Sequence, residues 1–431
     1  MQTFGIGLAG LGNVGAGVFK HLTKNQTLLR ERIGCELSVR KIAVRDVKRD
    51  RGIDVPANLL TTDWRELLDD PSVHIIVELM GQKKESLELM LEAIRRKKIV
   101  VTGNKALLAE HGKEIFEAAY KHNVPVFFEA AVGGGIPIIK ATREAFVANH
   151  IQSIHGIING TSNYILTRMT EAGMGFSAAL AEAQAAGYAE ADPTLDVNGG
   201  DAAHKAVILA SLAYGFWVPM EKIFVEGIEQ LTANDIQFAD RFGYRIKLLA
   251  CIKADTDGIE VRVHPTLVPK SHVLASVNGV FNAMAVKGDV VGETLFYGRG
   301  AGQDATSSAV ISDIVEAADA LVSPRRNLGF MPHGLYGTCK PIDQIVSEFY
   351  VRLCVEDRPG VIAQIAGILG ELNIGISSIL QPESEDEGSS VPLVLMIHKA
   401  TNGQMSTALE RISQLTCSRR PPRMIRVEHF N

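Results

Sequence analysis

Cysteine is scarce and scattered in this chain. Cys35, Cys251, Cys339, Cys354 and Cys417 are odd in number and include no CxxC pair. That excludes a disulfide framework and a zinc knuckle, and it suits a reducing cytoplasm. The 12 histidines form no HExxH or comparable ligand spacing. No stretch approaches the ~18 uninterrupted apolar residues of a membrane span, and no basic leader precedes the first structured segment. Positive charge is not in excess: 44 Lys and Arg stand against 49 Asp and Glu, a net charge of -5. With no basic stripe and no aromatic-basic patch, a nucleic-acid partner is not expected. What is present is an ordinary globular composition, 46% hydrophobic and 22% charged, which excludes general disorder. The expectation is a soluble, cytoplasmic protein whose 431 residues form two or three domains of roughly 100–200 residues each.

The first third reads as a nucleotide site. TFGIGLAGLGNVGAGVFKHL starts with an apolar strand, Thr3 to Ala9, and turns through Gly10, Gly12 and Gly15. It then continues with helical spacing at Val14, Val18 and Leu22. A GxGxxG pattern says little alone, but between a strand and a helix it is a dinucleotide fingerprint. The glycines allow close backbone approach, and the helix start offers free N–H groups to a pyrophosphate. Further strands are expected at 39–45, 73–79, 98–103 and 124–130, with helical segments at 64–68, 86–95 and 113–121. That alternation predicts a parallel, doubly wound sheet. At the end of the second strand Arg45 stands where an acid would hold a ribose hydroxyl, with Lys48 and Arg49 close behind. A guanidinium suits a 2′-phosphate, so NADP is favoured, while the adjacent Asp46 leaves NAD open. Lys105 follows a strand's carboxyl end, where ligands of open α/β sheets bind. GRGAGQDAT, 298–306, is a second glycine-rich turn leading into a helix from Ser307 to Leu321. It is either a plain helix start or backbone that folds back against the cofactor.

The middle carries an unusual cluster. GYAEADPTLDVNGGDAAHK, residues 187–205, sets Glu190, Asp192, Asp196 and Asp201 among glycines and a proline, ahead of Lys205 and a buried helix ending at Gly215. Asp201 could simply cap that helix, with Lys205 one turn on. Such a cap does not account for Glu190 and Asp196. Four acids with one lysine could equally hold a zwitterion, carboxylates for an ammonium and lysine for an oxygen that becomes negative.

AQAAGYAEADPTLDVNGGDAAHK closely resembles the signature of homoserine dehydrogenases, with every defining position filled. NGTSNYIL, VTGNKALLA and EAAVGGGIPII resemble that family's segments in the same order, so the likeness spans essentially the whole chain. The resemblance implies reversible NAD(P)H-dependent reduction of L-aspartate 4-semialdehyde to L-homoserine, toward threonine, methionine and isoleucine. It implies Lys205 as proton donor, Lys105 as its partner near the cofactor, and Asp201 beside them. Substrate contacts would be Glu190 and Asp201, with Tyr188, Asp196 and Thr161 in the same pocket. Gly187 and Gly302 would approach the nucleotide, with Asn13, Val14 and Arg45. A monovalent cation, sodium or potassium, would sit at Glu129 and the backbone of Val132, Gly134 and Ile136, a hard-oxygen donor set. Two loops depart from the family pattern. ELMGQKKES stands where a Gly-Gly turn is usual, and Ala305 where proline is favoured.

EAAVGGGIPII, 129–139, looks like a hinge out of the nucleotide domain, and NLGFMPHGLYGTCKPIDQ like a linker. Beyond it, EFYVRLCVEDRPGVIAQIAGILGELNIGISSIL resembles the start of an ACT domain. VPLVLMIHKA, a helix from Met405 to Leu415 and MIRVEHF complete a βαββαβ unit. The expected fold is therefore α/β. It has a Rossmann-type domain over 1–135 with 303–325 packing back on it, and an α+β substrate and dimerisation domain over 136–302. A linker over 326–347 leads to a ferredoxin-like ACT domain over 348–431. ACT domains commonly bind amino acids at paired interfaces, so threonine regulation is expected at Asp357–Val361 and Asn373–Ile376, in a homodimer or homotetramer. Two rivals remain at this stage. Aspartate-semialdehyde dehydrogenase would need a cysteine in a catalytic setting, and none is recognisable. A non-catalytic amino-acid sensor would not need Lys105, Lys205, Glu190 and Asp201 together.

Overall fold

The protein is described here by a computed structural model covering residues 1–323, 329–382 and 390–430. The first residues of the expected linker, 326–328, and the last of the returning segment, 324–325, lie outside the described residues. Two compact units interleave along the chain. The first comprises Met1–Gly160, Asp201–Glu221 and Phe281–Gly337; the second comprises Thr161–Gly200, Lys222–Val280 and Thr338–Asn431.

The first unit is built on a six-stranded parallel sheet: β1 (Thr3–Ala9), β2 (Glu36–Ala43), β3 (Leu60–Thr61), β4 (Val73–Glu78), β5 (Ile99–Thr102) and β6 (Val126–Phe127). Their order is β3-β2-β1-β4-β5-β6, that of a dinucleotide-binding sheet. Consecutive residues Ile75, Ile76 and Val77 are all 0% exposed, because helices cover both faces of a parallel sheet. The expected strand over 124–130 shortens to Val126–Phe127, since Phe128 turns to ψ 32 and Glu129–Ala131 forms a 3-10 turn. The helix expected over 113–121 begins at Lys105, where Asn104 Oδ1 accepts the Leu107 N–H at 3.2 Å as an N-cap. A helix at Gln26–Ile33 fully buries none of its residues and rests on the core only through the partly buried Leu29 and Ile33, a stripe too short for sequence reading to detect.

Strands Ile151–Ile157, Phe281–Gly288 and Gly292–Arg299 form an antiparallel group in the same unit. The helix Gln303–Val322 then returns to the nucleotide sheet, where Val310, Ile314 and Ala317 share a core with Val18 and Val101. It comes so close to the first helix that a Cβ on Gly17 would lie 2.2 Å from Ser307 Oγ. Beyond it Phe330 is packed, 5.3 Å from Phe116 and 5.5 Å from Trp217, ring centre to ring centre.

The second unit contains the hairpin Tyr244–Asp255 and Gly258–Pro269 and the C-terminal βαββαβ segment. That segment runs Val346–Glu356, Val361–Glu371, Ile376–Leu380, Ser390–Thr401, Asn402–Ser413 and Ser418–Val427. Its last strand pairs in parallel with the hairpin, Thr266 to Arg426 and Leu267 to Val427, so the two sheets are continuous. The helix expected from Met405 starts at Asn402, because Thr401 and Gln404 form a capping box. Among the described residues no helix is long and apolar enough to cross a membrane.

Candidate active site

The helix Gly200–Tyr214 contains both Asp201 and Lys205 in its first turns, so it starts earlier than the apolar run suggests. Asp201 does not cap it. Its Oδ2 accepts from Lys205 Nζ at 2.6 Å and from Asn159 Nδ2 at 2.9 Å, while Oδ1 faces Lys105 Nζ at 2.5 Å. The i,i+4 spacing stacks Asp201 and Lys205 on one helical face. Lys105 arrives from elsewhere in the chain, at the start of the helix that follows β5. Lys205 Nζ also donates to Ile158 O at 2.7 Å, which fixes its direction.

Asp201 and Lys205 are 6% and 7% exposed, whereas the Lys105 side chain is 42% exposed. Burial alone would raise the Asp201 carboxyl; the Lys205 and Lys105 ammonium groups override it and hold the group well below the usual carboxylate range. Two cations sharing one anion leave a net positive site. Such a site stabilises an oxygen that gains charge and can pass it a proton.

The expected nucleotide site lies in the same unit. A cavity of about 790 Å³ is lined by Gly10, Gly12, Arg45, Asp46, Arg49, Arg51, Trp64, Arg65, Leu79, Met80, Gln82 and Glu85, among others. Gly10, at φ +98, cannot carry a side chain, because a Cβ there would meet Leu79 O at 2.5 Å. The Asp46 carboxylate accepts the Lys48 N–H at 2.8 Å. Arg51 is clamped by the carbonyls of Arg49 and Asp46, each at 2.6 Å. The Arg65 guanidinium sits 4.4 Å over the Trp64 ring. Lys48 is not among the lining residues, while Arg51, Trp64 and Arg65 are additions that no motif announces. Gly15 is buried at the helix start, and Asn13 and Val14 meet the returning helix. Gln303 Nε2 donates to Asn13 O at 2.9 Å, and Ser307 Oγ to Val14 O at 3.1 Å. The second glycine-rich turn is thus folded back, with Gly302 at φ +117 as the last residue before the helix.

The remaining expected contacts lie in the second unit. Thr161 Oγ1 donates to Tyr188 O at 2.8 Å, and Ser162 Oγ to Asp196 O at 2.6 Å. The start of the helix Gly160–Ala172 therefore holds the acidic loop at two points. Tyr188 is 46% exposed, its ring 4.8 Å from that of Tyr164. Gly187 and Glu190 are exposed, and Gly187 adopts φ +74. Asp192 is a turn-former, accepting Thr194 N–H at 3.1 Å and Oγ1 at 2.6 Å.

Glu129 is 2% exposed. Its carboxylate accepts the N–H groups of Ile139 at 2.9 Å and Lys140 at 2.8 Å, while burial pushes the group up. Val132, Gly134 and Ile136 are buried with it. Among the described residues the carbonyls of Val132 and Gly134 accept no hydrogen bond, whereas Ile136 O takes the Ile138 N–H at 2.8 Å. Carbonyl and carboxylate oxygens are the hard donors that the expected monovalent cation takes.

Residues 10–129 match the family model described as the homoserine dehydrogenase NAD-binding domain, residues 137–315 that of homoserine dehydrogenase, and residues 349–417 that of the ACT domain. The chain is 45% identical to a homoserine dehydrogenase of Pseudomonas aeruginosa over 436 aligned positions, covering 100% of both. It is 36% identical to that of Bacillus subtilis, covering 99% of each. Among solved structures, a homoserine dehydrogenase from Thiobacillus denitrificans superposes with a TM-score of 0.94 at 42% identity, covering 100% of this chain and 99% of that one. A hyperthermophilic archaeal homoserine dehydrogenase in complex with NADPH matches at a TM-score of 0.64 and 27% identity, over 76% of this chain and 100% of that one.

Proposed function

The chain belongs to the homoserine dehydrogenase family, NAD(P)-dependent oxidoreductases of the CH–OH group that interconvert L-aspartate 4-semialdehyde and L-homoserine, and we propose that Lys205 is its proton donor. The observation that carries this reading is the sharing of Asp201 by the Lys205 and Lys105 ammonium groups. When bound, the nicotinamide supplies a hydride to the aldehyde carbon. Lys205 stabilises the negative charge that gathers on the aldehyde oxygen and then gives that oxygen a proton, completing the alcohol. Asp201 and the Ile158 carbonyl hold the ammonium in one direction, and Lys105 adds positive charge. Thr161, Tyr188, Glu190, Asp196 and Asp201 are the proposed substrate contacts, the acids receiving the amino group. Gly10, Gly12, Asn13, Val14, Gly15, Arg45, Lys105, Gly187 and Gly302 are the proposed cofactor contacts.

NADP is the proposed preference. Asp46 is engaged by Lys48 N–H, while Arg45, Arg49, Arg51 and Arg65 line one cavity, a setting for a 2′-phosphate. Glu129, Val132, Gly134 and Ile136 would hold sodium or potassium, which would tie the hinge loop through its oxygens. In the ACT segment, the backbone at Asp357–Val361 and Asn373–Ile376 is the proposed threonine contact. Gly360 and Asn373 turn there with φ +89 and +56. Exposed Ile362 and Ile379 on this module, 41% and 47%, support its pairing in a homodimer or homotetramer. Five free cysteines favour the cytoplasm.

The test is turnover of L-aspartate 4-semialdehyde with NADPH, homoserine being identified as product, in the purified protein and in Lys205→Ala. The variant should bind NADPH unchanged and lose roughly a thousandfold in kcat. A Lys205→Ala protein with wild-type kcat overturns the assignment.

A further inference from the structure

Glu78 ends β4 and is 0% exposed, yet among the described residues no cation pairs with it. A buried carboxyl group is costly unless its oxygens are well supplied with donors. Here Oε1 accepts the Met80 N–H at 2.9 Å and the Ser86 hydroxyl at 2.7 Å, and Oε2 accepts the Thr102 hydroxyl at 2.7 Å. Ser86 and Thr102 are themselves 0% exposed. These donors come from two directions. Met80 and Ser86 bracket the loop in which the usual Gly-Gly turn is replaced, and Leu79, Met80, Gln82 and Glu85 of that stretch line the cofactor cavity. Thr102 ends β5, directly beside Glu78 in the sheet.

From Thr102 the network continues to the start of the next helix. Thr102 Oγ1 accepts the Asn104 N–H at 3.0 Å, and Asn104 Oδ1 accepts the Leu107 N–H at 3.2 Å, capping the helix whose first residue is Lys105. Asn104 Nδ2 donates back to Gln82 O at 3.3 Å, which closes the ring onto the cavity loop. The same loop is pressed by the glycine turn of β1: Leu79 N–H donates to Ala9 O at 2.8 Å, and Leu79 O leaves no room for a Cβ on Gly10.

We propose that Glu78 is a positioning residue that joins the cofactor loop Leu79–Ser86 to the placement of Lys105, through Thr102 and Asn104. Seating the cofactor against this loop and aiming the Lys105 ammonium are then a single event. An acceptor with two oxygens suits the position, because an N–H and two hydroxyls from separate segments converge on it. The inference rests on the reading of Lys105 as an active-site residue.

The test uses full-length protein and two readouts: the Kd for NADPH without substrate, from fluorescence titration, and kcat. Thr102→Val keeps the side-chain shape and removes the hydroxyl, leaving the Asn104 N–H and one Glu78 oxygen without a partner. It should weaken NADPH about tenfold and lower kcat about tenfold. Thr102→Ser, which restores the hydroxyl, should bring both within about twofold of wild type. Glu78→Gln, which keeps shape and one carbonyl oxygen, should change both readouts in the same direction, and it carries the test where Thr102→Val does not fold. In a Lys105→Ala background Thr102→Val should cost no further kcat while still weakening NADPH. The proposal is overturned if Thr102→Val and Glu78→Gln match wild type in both readouts while Lys105→Ala is crippled. It is also overturned if Thr102→Val lowers kcat equally with and without Lys105. A Lys105→Ala protein with wild-type kcat overturns the active-site reading of Lys105, and the coupling with it.

Discussion

Two buried aspartates show how alike a proposed catalytic cluster and a structural ion cluster can look. Asp201 and Asp235 are 6% and 0% exposed, and each lies in the first turn of a helix with its carboxylate fully engaged. Asp235 completes a capping box, accepting the Thr232 N–H at 2.9 Å and hydroxyl at 2.7 Å. It also takes Tyr350 Oη at 3.1 Å and both Arg352 Nε at 2.7 Å and Nη2 at 3.1 Å. It thereby fastens the helix Ala233–Arg241 to the first ACT strand. Asp201 instead takes no part in capping its own helix, where Asn198 Oδ1 accepts the Gly200 N–H at 2.8 Å, and is shared by two lysines, one of them partly open to solvent. The difference lies in the partners. A fork of guanidinium N–H groups cannot give up a proton near neutrality, whereas a lysine ammonium can. Burial and charge alone would not separate the two sites.

Removing the anion from each cluster should separate them sharply. Asp201→Asn should lower kcat roughly a hundredfold or more, and the basic limb of the pH–rate profile should move to lower pH. Two neighbouring ammonium groups without an anion between them shed a proton more readily. The same variant tests a linkage. Because the Asp201 carboxyl is held low in the folded protein, its stabilisation is fully present above about pH 4 and is lost as pH falls into the acid range. Denaturant melts from pH 6 to 3 should therefore fall less steeply for Asp201→Asn than for wild type.

Asp235→Ala should do the converse. It leaves the half-buried Arg352 without its partner and removes a cap, so unfolding should become easier by about 3 kcal/mol. At a temperature where the variant stays folded, kcat should remain within about twofold. A large loss of kcat in a fully folded Asp235→Ala protein would show that the ACT junction governs the chemistry.

Smaller effects refine the contrast between the two units. Arg45→Ala should raise the KM for NADPH about tenfold and leave NADH within about twofold, as expected for one charge-assisted contact to a 2′-phosphate. Equal losses with both cofactors would make Arg45 a loop residue only. In the second unit, burial lowers Lys247 to about 8, where its Nζ bonds Val277 O at 2.6 Å. The unfolded chain keeps that proton to about pH 10, so between those values unfolded molecules bind more protons and stability rises with pH. The slope is at most about 1.4 kcal/mol per pH unit, and melts of Lys247→Met should lack it.

The nucleotide sheet was legible because its signals are local. A glycine turn between a strand and a helix, and apolar strands at regular intervals, state the pattern within short windows. The family likeness of 187–205 was equally local. What was misread was misread for local reasons too. The Lys105 helix lost its beginning although Leu107 and Leu108 are buried there, because Gly112 interrupts the helical pattern. The strand at 124–130 looked long because buried coil is as apolar as buried strand. Arg51, Arg65 and Glu78 escaped notice because exposed arginines and a lone glutamate at a strand end carry no spacing to read.

Residue type and spacing determined the sheet, the glycine turn, the pairing of Asp201 with Lys205 on one helical face, and the family. Those follow from backbone periodicity and from i,i+4 geometry. Only the tertiary structure decided that Lys105 shares the same carboxylate, that the returning helix Gln303–Val322 meets the first helix at Asn13, Val14 and Gly17, and that the ACT strands continue the neighbouring hairpin. Each of these joins residues far apart in the chain. Such contacts form where buried surfaces and donors happen to complement one another, and no short window of sequence contains both halves.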